Sequence, residues 1–187
     1  ALVVAVAVVM ADRSRMVDPD LFMNLFSARD ILAAGGLPGV DSHSFARESL
    51  PWTDYEWLAR MIQLGVYEFA GGPGLVLLRS VQAVLAAAAL FLAARRAGSS
   101  TAAAAVALLV CWPAVAHFML LRARAFSFVM LVLVILAVVE HRRGTRLAAW
   151  ALVPMMLVWV NLHGAWLLGL GIGVLALGHN SDVVQHA

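Results

Sequence analysis

Two aspartates, Asp18 and Asp20, stand one proline apart in MVDPDLFMN (residues 16–24), a few residues beyond an apolar run at the start of the chain. Carboxylates at this spacing suit two kinds of chemistry. One takes a proton from a hydroxyl while the other orients it, or both share a divalent cation, Mg²⁺ or Mn²⁺, whose shell is completed by phosphate and water. A plainer role is capping the helix that follows, since Asp is a favoured N-cap. Arg122 and Arg124 crowd a short turn between apolar runs. The guanidinium fork matches phosphate geometry, so this pair offers an anion clamp; gripping phospholipid headgroups is the generic alternative. Asp41, His43, Glu56, Asn161 and His163 complete the candidates, with His117 near the end of an apolar run. No HExxH-type spacing links the histidines. Asp41 and Glu56 also suit solvated or ion-paired loop positions, and Asn161 a bond to a neighbouring helix.

Positioning these residues falls to helices suited to lipid. Of 187 residues, 63% are hydrophobic and 13% charged, and mean hydropathy is +0.90, where soluble domains carry about a quarter charged residues. The expected class is an all-α, polytopic transmembrane helix bundle. All thirteen basic residues are Arg, and the net charge of +2 gives no pointer to nucleic acid. The single cysteine, Cys111, lies inside an apolar run and has no intrachain partner. The opening ALVVAVAVVMA lacks a charged leader region or cleavage site and reads as a trimmed first span, residues 1–11. Further spans are expected at 74–94, 101–120, 126–140, 147–161 and 165–178, about six in all, followed by a polar tail at 179–187. The whole reads as one module, 1–187, cut short at both ends.

Nine of the eleven acidic residues fall within 12–73, the one polar segment long enough to build a site outside the bilayer. Arg95, Arg96, Arg142, Arg143 and Arg146 flank spans and belong on the cytoplasmic side by the positive-inside bias. Alternation places 12–73 and the turns at 119–125 and 161–164 on the opposite face, where Arg122 and Arg124 run against the bias and call for an anionic partner. Within 12–73, Leu21, Leu25, Ala28 and Leu32 recur at helical spacing, with Asp20 as N-cap and Gly35-Gly36 as the stop. WTDYEWLARMIQLGVYEF repeats the pattern, with Thr53 or Asp54 as cap and Trp57, Met61 and Leu64 on one face. Both segments are amphipathic, fit to lie at a membrane interface. GLGIG at 169–173 is a packing feature, small residues that let helices approach closely.

Five patches, in order, resemble the polytopic GT-C glycosyltransferases, in particular a bacterial branch using polyprenyl-phosphate-linked sugars. DPDLFMN resembles that branch's D-x-D-x-W-W-H-L, and GGLPGVDSHSF its G-x-x-P-x-x-D-x-F-S. PWTDYEWL resembles W-x-x-x-E-W-L, LRARAFSF resembles L-R-P-Q-x-F-S-F, and WVNLHGAW resembles W-x-N-L-H-G-G. The chain departs from the pattern at Phe22-Met23, at Asn24 in place of the His, and at Arg124 in place of a Gln.

The resemblance implies an integral protein of the bacterial cytoplasmic membrane, with its site on the extracytoplasmic side and a polyprenyl-phosphate-linked sugar as donor. It implies catalytic or metal-binding roles for Asp18 and Asp20 and lipid-phosphate binding for Arg122, beside which stands Arg124. Asp41, His43, Glu56, Asn161 and His163 become candidate substrate contacts. Asp20 is the expected base, with general-base help worth about 10²–10⁴ in rate, and the acceptor is undetermined. A non-catalytic scaffold or degenerate lipid-binding member is the rival. A transporter is the third reading, disfavoured on the expectation that the spans carry no breaks or mid-bilayer polarity beyond Pro113 and Pro154.

Overall fold

The computed structural model describes residues 19–40 and 51–184, with side chains described except at 116–118 and from 177 onward. Six helices follow one another: α1 (Pro19–Ala34), α2 (Trp57–Arg96), α3 (Thr101–Phe118), α4 (Ala123–Arg142), α5 (Arg146–Leu162) and α6 (Trp166–Val184). Among the described residues there is no strand, only an isolated bridge between Val40 and Pro51. The expected first span at 1–11 lies outside the described residues, and the tail expected from 179 is helical as far as Val184.

Among the described residues two helices, α2 and α4, are long and apolar enough to cross a membrane. The other apolar stretches, Thr101–Val115, Arg146–Leu162 and Trp166–Ala176, are shorter. Among the described residues that is fewer than the six or so expected, the first of which lies outside them.

Helix α1 begins with Pro19, which suits a first helical turn where no N–H partner is needed. Asp20 lies inside that first turn rather than at the cap. Leu21, Leu25, Ala28 and Ile31 form the buried face, while Leu32 is 60% exposed; the true stripe steps 4, 3, 3 and leaves Leu32 outside. Gly35, at φ 69°, ends the helix. Its N–H bonds Leu32 O at 3.2 Å and the Gly36 N–H bonds Ile31 O at 3.2 Å, a paired closure that only a left-handed residue permits.

The loop expected to separate an amphipathic segment from a span is instead a break inside one helix. Gly71 takes φ 60°, ψ −154°, a conformation open to glycine, and Pro73 lacks the N–H that would continue the ladder. The chain passes close to itself here, since a Cβ on Gly74 would lie 2.7 Å from Ala70 Cβ. No side chain caps α2; Glu56 holds the cap position, and its N–H bonds Asp54 Oδ1 at 3.0 Å.

Among the described residues the core falls into three parts. Leu21, Leu25 and Ala28 pack on Leu64, Leu75 and Leu121, joining α1 to α2 and to the turn before α4. Ala59, Met130, Val134, Leu152 and Trp159 join α2, α4 and α5, and Ala83, Ala87, Leu108 and Trp112 join α2 to α3. Helices α2 and α4 run in the same direction and end together, where Arg96 Nη1 meets Glu140 Oε1 at 3.1 Å and Arg143 Nη1 donates to Arg96 O at 2.8 Å. The turns at 119–122 and 163–165 therefore share the opposite end with the start of α2.

Two details bear on the apolar segments. They are not free of polarity: Arg79, Ser80 and Gln82 on α2 and Ser127 on α4 are all buried. With the break at Gly71, this corrects the expectation of unbroken, apolar spans. The close approach assigned to the glycines of 169–173 is found at Gly169, where an added Cβ would fall 2.2 Å from the Trp159 ring. The Trp159 indole N–H donates to Ser127 Oγ at 2.7 Å.

Candidate functional site

At the end of the bundle opposite the Arg96–Glu140 contact, a cavity of about 360 Å³ is lined by Asp20, Asn24, Glu56, Arg60, Arg122, Arg124 and His163, with Met23 and Ala123. Four elements supply these residues: the first turns of α1 and α2, the start of α4, and the turn after α5.

Each wall is fixed by polar contacts in the surrounding core. Asn24, buried one turn beyond Asp20, donates through Nδ2 to Gln63 Oε1 at 3.1 Å, and Gln63 Nε2 donates to Leu121 O at 3.2 Å. This chain ties α1 to α2 and α2 to the turn that carries Arg122. It sets Asp20 opposite Arg122, whose Nη1 lies 2.9 Å from Asp20 Oδ2. Arg122 is extended at the N-cap of α4. Two cations thus stand at a helix N-terminus, where the backbone already presents partial positive charge; the arrangement favours an anion there.

The opposite wall is zipped in the same way. The Trp57 indole N–H donates to Asn161 Oδ1 at 2.9 Å, and Asn161 Nδ2 donates to Leu157 O at 2.8 Å. Gly164 leaves room for the Tyr55 ring, which would lie 3.3 Å from a Cβ at that position. Tyr55, Glu56 and Trp57 are thereby aligned with Asn161, His163 and Gly164, and His163 Nε2 comes within 3.4 Å of Glu56 Oε1. The Ala165 N–H donates to His163 Nδ1 at 3.2 Å. The neutral ring therefore carries its proton on Nε2, toward Glu56.

Behind Glu56, Arg60 Nη1 binds Asp54 Oδ2 at 2.7 Å and Arg60 Nη2 lies 3.7 Å from Glu56 Oε2. Burial pushes the Glu56 carboxyl above the ordinary carboxylate range, with His163 and Arg60 drawing it down and Asp54 and Asp20 adding to the rise.

Of the residues expected from sequence, Asp20, Glu56, Arg122, Arg124 and His163 line the cavity. Asn161 serves the wall, held by Trp57. Asp18, Asp41 and His43 lie outside the described residues, as does the side chain of His117. Sequence reasoning missed Arg60, Asp54 and the Asn24–Gln63 chain. The signal for Arg60 was its position one turn after Glu56, and for Asn24 its position one turn after Asp20. Among the described residues no three His, Cys, Asp or Glu side chains converge as metal ligands. Asp20, the one described member of the expected metal pair, faces a guanidinium, so the described residues alone do not make a divalent-cation site.

No protein-family model matches the chain, nor does a curated protein or a solved structure.

Proposed function

We propose that this chain is a membrane glycosyltransferase module that moves a sugar from a polyprenyl-phosphate donor to a hydroxyl acceptor on the extracytoplasmic face. The carrying observation is the placement of Arg122 and Arg124 at the α4 N-terminus, in one cavity with Asp20, Glu56 and His163. Arg122 receives the donor phosphate; the half-exposed Asp20 holds it in place until the donor arrives and competes with it no more strongly than a surface ion pair, about 0–1 kcal/mol. Phosphate binding also places the growing negative charge of the leaving group at the positive end of a helix, where it is stabilised as the bond breaks.

Membrane residence rests on the two long apolar helices and on outward-facing side chains. Val110, Leu147, Trp150, Leu157 and Leu175 are each exposed by more than half, and apolar area on this scale is a surface suited to lipid. The bacterial cytoplasmic membrane and the extracytoplasmic orientation follow from the sequence resemblance and from the arginines gathered at the Arg96–Glu140 end.

The buried Arg79 and Gln82, with the break at Gly71, favour a second reading, a transporter, since broken helices and buried ionisable groups mark transport pathways. A scaffold that binds lipid without chemistry is the third.

Native mass spectrometry of the detergent-purified protein with polyprenyl phosphate, wild type against Arg122→Ala, tests the donor site. One-to-one binding that the variant loses supports the proposal. Equal binding of polyprenyl phosphate and bulk anionic phospholipid overturns it, and substrate flux in proteoliposomes would then favour the transporter.

A further inference from the structure

Among the described residues, Asp20, Asp54 and Glu56 are carboxylates at the site end of the bundle, and their partners differ. Asp20 Oδ2 lies 2.9 Å from Arg122 Nη1. Asp54 is buried and binds Arg60 Nη1 at 2.7 Å. Glu56 has no guanidinium at hydrogen-bond distance: Arg60 Nη2 is 3.7 Å away, and His163 Nε2 is 3.4 Å from the other oxygen. Its charge is the least compensated of the three, and it opens onto the cavity, as Asp54 does not.

Glu56 is also the best-positioned carboxylate. Its backbone N–H is fixed by Asp54 Oδ1 at 3.0 Å. Its neighbours Tyr55 and Trp57 are held against Gly164 and Asn161, and its imidazole partner is fixed in tautomer by the Ala165 N–H. Two elements far apart in sequence converge to present one carboxylate with the His163 Nε2 beside it, a base with an orienting partner.

Resting on the glycosyltransferase reading, we infer that Glu56, rather than Asp20, is the residue that takes the acceptor's proton, with His163 as its positioning residue. The acceptor oxygen forms its bond to the anomeric carbon while the bond from that carbon to the phosphate oxygen breaks. The electron pair leaves with the lipid phosphate, facing Arg122, and the hydroxyl proton passes to a Glu56 carboxylate oxygen. Atoms and charge balance with no further reactant. Burial raises the proton affinity of Glu56, moderated by His163 and Arg60 and reinforced by Asp54 and Asp20; from α4, Arg122 and Arg124 face the same cavity. A base with its proton affinity raised toward the working pH is the more effective one.

The chain has four glutamates, Glu48, Glu56, Glu68 and Glu140, few enough to follow separately. The test is a carboxyl NMR titration of the full chain in nanodiscs with ¹³C-labelled glutamate, with and without polyprenyl phosphate. Expected is one signal titrating above the ordinary glutamate range, absent in Glu56→Gln and displaced in His163→Gln, while the signals of the other three glutamates stay unchanged in both variants as the control for folding. Polyprenyl phosphate should move that signal further upward in wild type, because a second anion nearby disfavours the carboxylate, and should fail to do so in Arg122→Ala. Polyprenyl phosphate that binds while Glu56 titrates in the ordinary range, or binds without moving it, overturns the assignment of the base and leaves the donor site standing. Absence of binding in wild type overturns the donor reading, and the transfer step with it.

Discussion

At the scale of single residues, ion pairs that look alike carry different weight. Asp20 and Arg122 are 52% and 34% exposed, whereas Asp54 and Arg60 are 4% and 12% exposed. An exposed pair contributes about 0–1 kcal/mol, while removing one partner of a buried pair costs about 3–5 kcal/mol because the other charge is stranded. Thermal unfolding in detergent should therefore place Asp20→Asn close to wild type and Asp54→Ala well below it. A large loss for Asp20→Asn would mean that the Asp20–Arg122 pair holds the fold rather than serving a ligand. Glu56 carries a prediction in pH. Its folded-state proton affinity is raised, so the folded form binds the proton more tightly than the unfolded chain. The stability this supplies is complete below the ordinary glutamate range, around pH 4.3, and is lost as pH rises through the higher folded-state value. Melting curves across that window should show a decline in wild type that is smaller in Glu56→Gln; equal declines would mean another group is responsible. Asn24 illustrates how little a residue type says by itself. It replaces the histidine of the resembled pattern, yet its buried amide, through Gln63, braces the Asp20–Arg122 wall.

At the scale of elements, small residues decide how closely helices meet. Gly169 in α6 accommodates the Trp159 ring of α5, whereas a Cβ on Gly171 meets open space. Gly169→Ala should destabilise by about 1–3 kcal/mol through overpacking. Gly171→Ala, on the same helix, should be neutral or gain up to ~1 kcal/mol from helix propensity. Chemical or thermal unfolding of the two variants side by side checks this, and equal effects would show that Trp159 simply moves aside. The break at Gly71 has a different role. It separates the segment 57–70, which carries Arg60 and Gln63 of the site, from the apolar remainder of α2, so the site is braced from both sides of one bend.

At the scale of the whole molecule, polarity is sorted to the two ends of the helices while apolar side chains cover much of the length between. Cys111, exposed within α3, reports directly on what surrounds that length. In a bilayer it should react with a small membrane-permeant maleimide and resist a charged, impermeant thiol reagent, since the charged reagent cannot enter hydrocarbon. Rapid labelling by the charged reagent in intact proteoliposomes would place α3 in water and count against the membrane reading.

The sequence by itself determined the helical class, because its apolar runs and their 3.6-residue periodicity need no tertiary partner to be legible. It also placed the end of α1 at Gly35-Gly36, where backbone geometry requires glycine, and the seam near residue 73, where Gly71 and Pro73 act locally. It marked Asp20, Glu56, Arg122 and His163 as chemically expensive at the edge of apolar runs. The tertiary structure alone decided which of them meet. The contacts of Trp57 with Asn161 and of Asn24 with Gln63 span 104 and 39 residues, distances at which no periodic pattern carries information. The difference between Asp20 and Glu56 is of the same kind. Both are carboxylates one residue from an aromatic or apolar neighbour; only the fold gives one an arginine and the other a histidine in a buried corner.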